Sequence, residues 1–358
     1  MKRSLKKIAV VPIICLLSAC QAFLGPEPDD SPKGIFETIW NDFDRNYALF
    51  EHKNINWNTV YDYFAPQVRQ NMSENELFEL CFNMLSVLND AHVMLNTRNY
   101  GRTTSEGPYS MVNGQIVQVT KPERDPYPFH DEIVSNYIDI FDSNYGFSYG
   151  KFKTVNAVGY IRISTFDGVE GVFMQAGDWT KEIDNILQRL EDNTDAIVLD
   201  VRNNGGGFPS NLDHIASRFV STQKDYMEVQ TKNGPGKDDF SPLMKRTIRP
   251  SAAKRYTKPI FLLTDNRTGS CAEWFTLALK TQDHVTHVGS ATWGIMSMRI
   301  IRPLINGWDY SVSVQRTLDM NGVNHEGTGI SPDIEVAANI DYFERIDSAL
   351  EKVLELLK

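Results

Sequence analysis

Three short stretches carry residue types that could do chemistry together. In the first, an apolar run from Pro259 to Thr264 gives way to a turn rich in Asp, Asn and Gly, after which Trp274, Phe275 and Ala278 recur at helical spacing. Strand, tight turn and helix in that order lift the hydroxyl of Ser270 to the top of a sheet. The amide of Cys271 is left free at the helix start, so a nucleophile and half of an oxyanion hole come from neighbouring residues. Ser270-x-x-Glu273 is also a capping box, in which the hydroxyl would serve its own helix. The two roles are compatible if Glu273 caps the first turn while the hydroxyl faces a cleft.

The second stretch centres on His92, which follows a helical pattern and opens the extended Val93-Met94-Leu95. A helix C-terminus favours a protonated imidazole, which suits a base that must become imidazolium; a capping or surface histidine is the competing reading. The third is Arg202-Asn203-Asn204-Gly205-Gly206-Gly207-Phe208-Pro209, between a buried strand and a helix. Glycines there let backbone amides approach phosphate, pyrophosphate or an oxyanion, or else make only a tight turn. Neither a GxGxxG with its acidic partner nor a GK[ST] ending is present, so the nucleotide options fall away.

These stretches need a scaffold. Ile35, Trp40, Phe43, Tyr47 and Phe50 predict one amphipathic helix and Trp57 to Val68 a second. The capping box Ser73-x-x-Glu76 opens a third helix, expected to run through Leu88 and end at Asn89-Asp90-Ala91-His92. Residues 96–150 carry a short strand from Gln115 to Val119 and an apolar patch from Ile138 to Phe141. From Asn156 the pattern becomes α/β: strand Val158 to Ile163, helix from about Val172 to Leu190, strand Ala196 to Val201, and a helix to about Val220. After the Ser270 helix come a strand leading into His287 to Gly294, strands around Ser297 to Ile305 and Trp308 to Val314, and a loop from Asn324 to Ile334 that holds Glu326. A last helix is predicted over Tyr342 to Leu357.

The N-terminus is of another kind. Lys2, Arg3, Lys6 and Lys7 precede an apolar run, Ile8 to Leu17, too short to span a bilayer, and then Leu17-Ser18-Ala19-Cys20. Small residues before a cysteine resemble the bacterial lipobox, which implies cleavage before Cys20 and a lipid anchor on that thiol, with an ordinary signal peptide as the alternative. The acidic, proline-rich 20–32 reads as a spacer. Loss of residues 1–19, with four bases and no acids, leaves 32 basic against 46 acidic side chains, a net charge of −14 that argues against nucleic acid. Cys81 and Cys271 then remain, which is no disulfide framework. No HExxH or CxxC occurs, and His284 and His287 would face opposite sides of a strand, so no metal site is expected.

In this order and at these distances, AIVLDVRNNGGG, TGSCAEWF, GSATWG, EGTGISPDI and LNDAHV resemble the tail-specific, or C-terminal processing, serine peptidases, in the branch that includes the tricorn protease core. The resemblance spans most of residues 33–336. It implies an α/β class, with a crotonase-like core of stacked ββα units over 156–340. A helical cap over 33–95, an irregular connection over 96–155 and a C-terminal helix over 341–358 complete the chain.

Carried onto this sequence, the family's chemistry makes Ser270 the nucleophile, with amides of Gly206 and Cys271 as the oxyanion hole and no cofactor. The processing branch takes a lysine just after the Gly-flanked loop as its base. That position is Ile295 here, and no lysine occurs between Lys280 and Lys352, so such a dyad is excluded. The tricorn-like branch uses a histidine and a glutamate that match His92 and Glu326. There a second serine precedes the histidine and links it to the glutamate; here that residue is Ala91, so Glu326 must reach His92 directly or through water, or Asp90 must hold the ring. No PDZ-type carboxylate loop lies between His92 and Asn156, so recognition of free C-termini does not carry over. The expected activity is hydrolysis of peptides or unfolded proteins by a membrane-anchored endopeptidase, with a non-catalytic binding module on the same fold as the alternative. Nothing in the sequence sets the oligomeric state.

Overall fold

A computed structural model describes residues 29–120, 131–144, 146–155, 157–168, 177–336, 340, 341 and 344–358. Cys20, the leader and most of the spacer lie outside the described residues. Among those described, no helix is long and apolar enough to cross a membrane.

Three helices open the described chain: α1 (Pro32–Asn46), α2 (Trp57–Phe64) and α3 (Glu74–Ser86). Side chains cap each start: the Ser31 hydroxyl accepts from Gly34 N, Asn56 accepts at α2, and Ser73 with Glu76 forms the expected capping box on α3. All three helices stop short of their predicted ends, α2 giving way after Phe64 to a 3-10 turn over Ala65–Gln67. Helix α1 ends at Asn46, so Tyr47 and Phe50 lie in the following loop; α3 ends at Ser86, six positions before His92.

Strands β1 (Met94–Asn96), β2 (Gly101–Thr103), β3 (Tyr109–Val112) and β4 (Gln115–Gln118) follow, then α4 (Asp131–Tyr137), β5 (Ile138–Asn144), β6 (Phe147–Phe152) and β7 (Val158–Ile163). Next come α5 (Gly177–Leu190), β8 (Ala196–Asp200), α6 (Pro209–Ala216), β9 (Lys224–Thr231), β10 (Met244–Ile248), β11 (Ile260–Thr264), α7 (Cys271–Lys280) and β12 (Val285–Gly289). The chain closes with β13 (Arg299–Pro303), β14 (Asp309–Ser313), β15 (Gln315–Asp319), β16 (Ile334–Glu335) and α8 (Ser348–Leu356). The start of the helix predicted from Val172 falls outside the described residues. The last helix begins at Ser348 rather than Tyr342, where the Asp347 carboxylate caps it by accepting from Ala349 N and Leu350 N.

The centre is a seven-stranded sheet in the order β16-β12-β11-β8-β7-β6-β5. Its first five strands run parallel and the last two antiparallel. Alternation sorts side chains to two faces. Ile161, Ile197, Leu199 and Leu262 pack with α5, α6 and α7, while Tyr160, Val198 and Leu263 pack with α8 and α4. Parallel strands covered on both faces need continuous apolar runs, which is why Ala196–Asp200 is buried throughout. The mixed α/β class with an N-terminal helical region, expected from the sequence, is what the chain adopts.

The helical region shares its core with the β13–β14 hairpin: Phe43, Trp57, Phe78 and Phe82 pack with Leu304, Trp308, Tyr310 and Val312. That hairpin pairs with β1, two residues beyond His92. A three-stranded sheet, β10-β9-β15, was not anticipated. On the far face, buried Arg202 donates to Asp200 Oδ2 at 2.6 Å and to Asp347 Oδ1 at 2.9 Å, tying the α8 cap to the end of β8.

Candidate active site

Two turns meet at the carboxyl ends of the neighbouring parallel strands β8 and β11, the place where open α/β sheets present ligands. Backbone and side chains lace them together. Asn203 N donates to Asp265 Oδ1 at 2.9 Å, Gly269 N to the Asn204 carbonyl at 2.9 Å, and Thr268 Oγ1 to the Val201 carbonyl at 2.9 Å. Ser270 stands at the crest with φ 55° and ψ −122°. A non-glycine residue is strained there by roughly 1–3 kcal/mol, and such strain persists only where the surroundings impose it.

The imposing group is Glu273, fully buried in the first turn of α7. Its carboxylate accepts from Ser270 N (3.0 Å), Thr292 Oγ1 (2.7 Å), Gly294 N (2.7 Å) and Ile295 N (2.8 Å). Burial raises its pKa and these donors oppose the rise. The Glu273 amide bonds to the Ser270 carbonyl at 2.9 Å, with the Ser270 hydroxyl in capping-box position beside it, so the predicted capping box is present. Ser270 itself is half-buried.

The triglycine lies directly against this serine. Gly206 has φ 105°, and a methyl group placed on it would come 2.7 Å from Ser270 Cβ and 2.8 Å from Cys271 N, so only glycine fits. Its amide donates to Asn204 Oδ1 at 2.9 Å, whereas the Gly205 and Gly207 amides have no partner among the described residues. Cys271 is buried, its Sγ donating to the Gly207 carbonyl at 2.9 Å, and burial pushes its thiol up to about 12. The thiol is therefore inert beside the serine.

His92 and Glu326 both lie at the backbone of Met296 and Ser297. Glu326 Oε2 accepts from Met296 N at 2.9 Å and Ser297 N at 3.1 Å, and the His92 ring lies against the Ser297 backbone. Two atoms there are buried without a partner among the described residues: His92 Nδ1 and Glu326 Oε1. The turn that carries His92 is fixed by Asp90, whose Oδ1 accepts the His92 amide at 2.9 Å, and by Ser311 Oγ, which donates to the His92 carbonyl at 2.6 Å. Asp90 therefore holds the backbone of the histidine.

Charge follows burial. His92 is pulled below the ordinary histidine range by desolvation, with Asp90 opposing and Arg299 adding to the fall. With α3 ended at Ser86, burial rather than a helix C-terminus sets its protonation, so the ring is neutral at neutral pH, the form a base needs. Glu326 is pushed up to about 8 by burial first and by Asp90 next.

His284 and His287 have separate partners: His284 Nε2 faces the Phe219 carbonyl at 3.0 Å and His287 Nε2 the Thr264 hydroxyl at 2.7 Å. No group of ligating side chains among the described residues could hold a metal ion.

Sequence reasoning passed over Glu273 as a clamp, Asn204, Tyr47 and His52. The capping box marked Glu273, but its bonds to residues 292–295 are not local and left no signal.

A strained serine between strand and helix, backed by glycines and a buried carboxylate, defines a serine-hydrolase type of site. Residues 157–336, half of the chain, match peptidase family S41, and residues 28–86 match the tricorn protease C1 domain. The chain belongs to peptidase family S41. It is 29% identical over 201 residues to the carboxy-terminal processing protease CtpB of Bacillus subtilis (strain 168), covering 56% of this chain and 38% of that protein. To CtpA of the same organism it is 24% identical over 181 residues, covering 50% and 35%. It thus spans well under half the length of these relatives. Among solved structures, a proposed peptidase from Parabacteroides merdae ATCC 43184 superimposes with a TM-score of 0.77 at 27% identity, covering 92% of this chain and 97% of that one. Mature CPAF shares the fold at a TM-score of 0.69 and 14% identity, covering 91% and 98%.

Proposed function

We propose that this protein is a serine endopeptidase that cleaves extended peptides or unfolded chains through a Ser270 acyl-enzyme. Ser270 Oγ attacks the scissile carbonyl carbon while His92 takes its proton, and the carbonyl oxygen becomes an oxyanion. The Cys271 amide and a triglycine amide stabilise that charge; Gly206 serves if its bond to Asn204 yields, and the neighbouring Gly207 amide has no partner among the described residues. His92 then protonates the leaving amine, and water, deprotonated by His92, releases the acyl group. Glu326 orients the ring and balances the imidazolium. The observation that carries this reading is Ser270 at positive φ, clamped by Glu273 and held directly against Gly206.

Fluorophosphonate labelling and peptide hydrolysis test it. Wild type is expected to label stoichiometrically, and Ser270→Ala and His92→Ala each to lose both signals while keeping the fold. Full hydrolysis by Ser270→Ala would overturn the mechanism.

The lipobox-like Leu17-Ser18-Ala19-Cys20 supports anchoring of the mature chain through an acylated Cys20. Gln21, in place of an aspartate that would favour the inner membrane, points to the outer membrane of the cell envelope. Radiolabelled palmitate should enter the wild type and not Cys20→Ser; equal incorporation into both would remove the anchor.

A further inference from the structure

The loop after α1 touches both halves of the base side. Tyr47 Oη donates to Asp90 Oδ2 at 3.0 Å, and the other oxygen of Asp90 accepts the His92 amide. Lys53 Nζ donates to the Asn89 carbonyl at 3.1 Å, on the same turn. One residue earlier, His52 Nε2 lies 2.9 Å from the carbonyl oxygen of Glu326. A carbonyl can only accept, so His52 presents Nε2 as its protonated nitrogen. The loop is itself pinned where Ala48 N donates to the Ser313 carbonyl at 2.9 Å, on the strand whose Ser311 hydroxyl holds the His92 carbonyl.

We propose that Tyr47 and His52 are positioning residues: the loop Tyr47 to Lys53 is a strap that sets the separation of the His92 turn from the Glu326 loop, in place of the relay serine absent at Ala91. The inference rests on the peptidase reading above. His92 Nδ1 and Glu326 Oε1 are both buried and have no partner among the described residues, so no bond at either atom fixes its side chain and their placement is left to the backbones that carry them. Those backbones come from distant parts of the chain, and the strap is one segment that bonds to both. Tyr47 is buried, and burial with the Asp90 charge keeps its phenol protonated, hence a donor, across the working pH range. Small displacements of a base are costly, because proton transfer requires hydrogen-bond range to the attacking hydroxyl.

The test compares Tyr47→Phe, His52→Ala and His52→Gln in the full chain. Tyr47→Phe keeps the packing and removes the donor, while glutamine at 52 can still donate to a carbonyl. Tyr47→Phe and His52→Ala should each lower kcat and the rate of fluorophosphonate labelling about tenfold with KM within about twofold, and His52→Gln should recover most of the loss. In nitrogen-15 histidine spectra the His92 ring should show one environment in wild type and His52→Gln, and several in the other two. Wild-type kcat and a single ring environment in folded Tyr47→Phe and His52→Ala would overturn the strap, as would a loss that follows only the folded fraction. Failure of the peptidase reading appears separately, as wild type that does not label, and the ring spectra still decide the strap.

Discussion

The nucleophile half of the site and the base half are built on opposite plans. Around Ser270 the buried polar groups are matched: Glu273 takes four donors, and the two turns beneath the serine exchange backbone bonds. Around His92 the groups are buried yet incompletely matched, with its Nδ1 and the Oε1 of Glu326 both lacking a partner among the described residues. A buried polar atom without a partner costs about 1–3 kcal/mol, so the base half is held at a cost that the nucleophile half avoids. The difference divides the work. The serine must be rigid before substrate arrives, whereas the base and its acid must change charge during turnover, and a fully bonded pair would resist that change.

The largest way to break the contrast is Glu326→Gln. Glutamine keeps an oxygen for the Met296 and Ser297 amides but cannot balance an imidazolium. Above about pH 8, where the wild-type carboxylate is ionised, we expect kcat to fall roughly 10²–10⁴-fold, as when the acid of a catalytic triad is neutralised. Stability should respond in another way. In the folded protein Glu326 keeps its proton up to about pH 8, while in the unfolded chain it loses it near the ordinary glutamate value of about 4.3. Between those limits the folded state binds more protons, so this residue makes stability fall as pH rises, by at most about 1.4 kcal/mol per pH unit, and the fall ends above about 8. Denaturant melts across pH 5–9 should show that slope in wild type and lose it in Glu326→Gln. Wild-type kcat should climb through an apparent pKa near 8 as Glu326 becomes anionic. An equal slope in both proteins would mean that Glu326 ionises normally.

Glu273→Gln is the matching change on the other side, with a smaller effect on rate and a larger one on the fold. An amide NH2 in place of one carboxylate oxygen faces donors with a donor, since Oε1 and Oε2 each accept two bonds. A loss of about 2–3 kcal/mol in urea denaturation is expected, with kcat down about tenfold as Ser270 relaxes from its left-handed conformation. If activity falls while stability holds, the clamp is catalytic in some other sense and the proposed division of labour is wrong.

The two halves also differ in how far the sequence displayed them. The elbow is local: strand, turn and helix occupy Ile260–Lys280, and the periodicity of Leu262, Trp274 and Phe275 places Ser270 without help from elsewhere. The base half is assembled from the loop at 47–53, the turn at 89–92 and the loop at 326, and no spacing rule links positions so far apart. Helix ends failed for a related reason. The apolar residues Tyr47 and Phe50 continue a helical pattern past Asn46, but as loop residues Tyr47 is buried against Phe43 and Phe50 is half-buried against Trp57, so periodicity overstated the helix. The sheet of β9, β10 and β15 was hidden because Lys224–Thr231 buries adjacent Tyr226 and Met227, which spoils the alternation that marks a half-buried strand.

The smallest expected effect is the most pointed test of the contrast. On the proposed correspondence with the tricorn-like site, Ala91 stands where a relay serine would be, next to a histidine whose Nδ1 lacks a partner among the described residues. If the base half lacks only a bridging hydroxyl, Ala91→Ser should raise kcat about two- to fivefold with KM unchanged, a gain of about 0.5–1 kcal/mol typical of one added neutral hydrogen bond. The gain should be larger in a Tyr47→Phe background, where the strap no longer holds the turn, and a double-mutant cycle measures that coupling. Equal gains in both backgrounds would mean that hydroxyl and strap act independently, so that the strap does not stand in for the relay. Unchanged kcat in the wild-type background with rescue in Tyr47→Phe would mean the reverse: the bonds from Tyr47 and His52 already supply the full orientation that a serine at 91 could give.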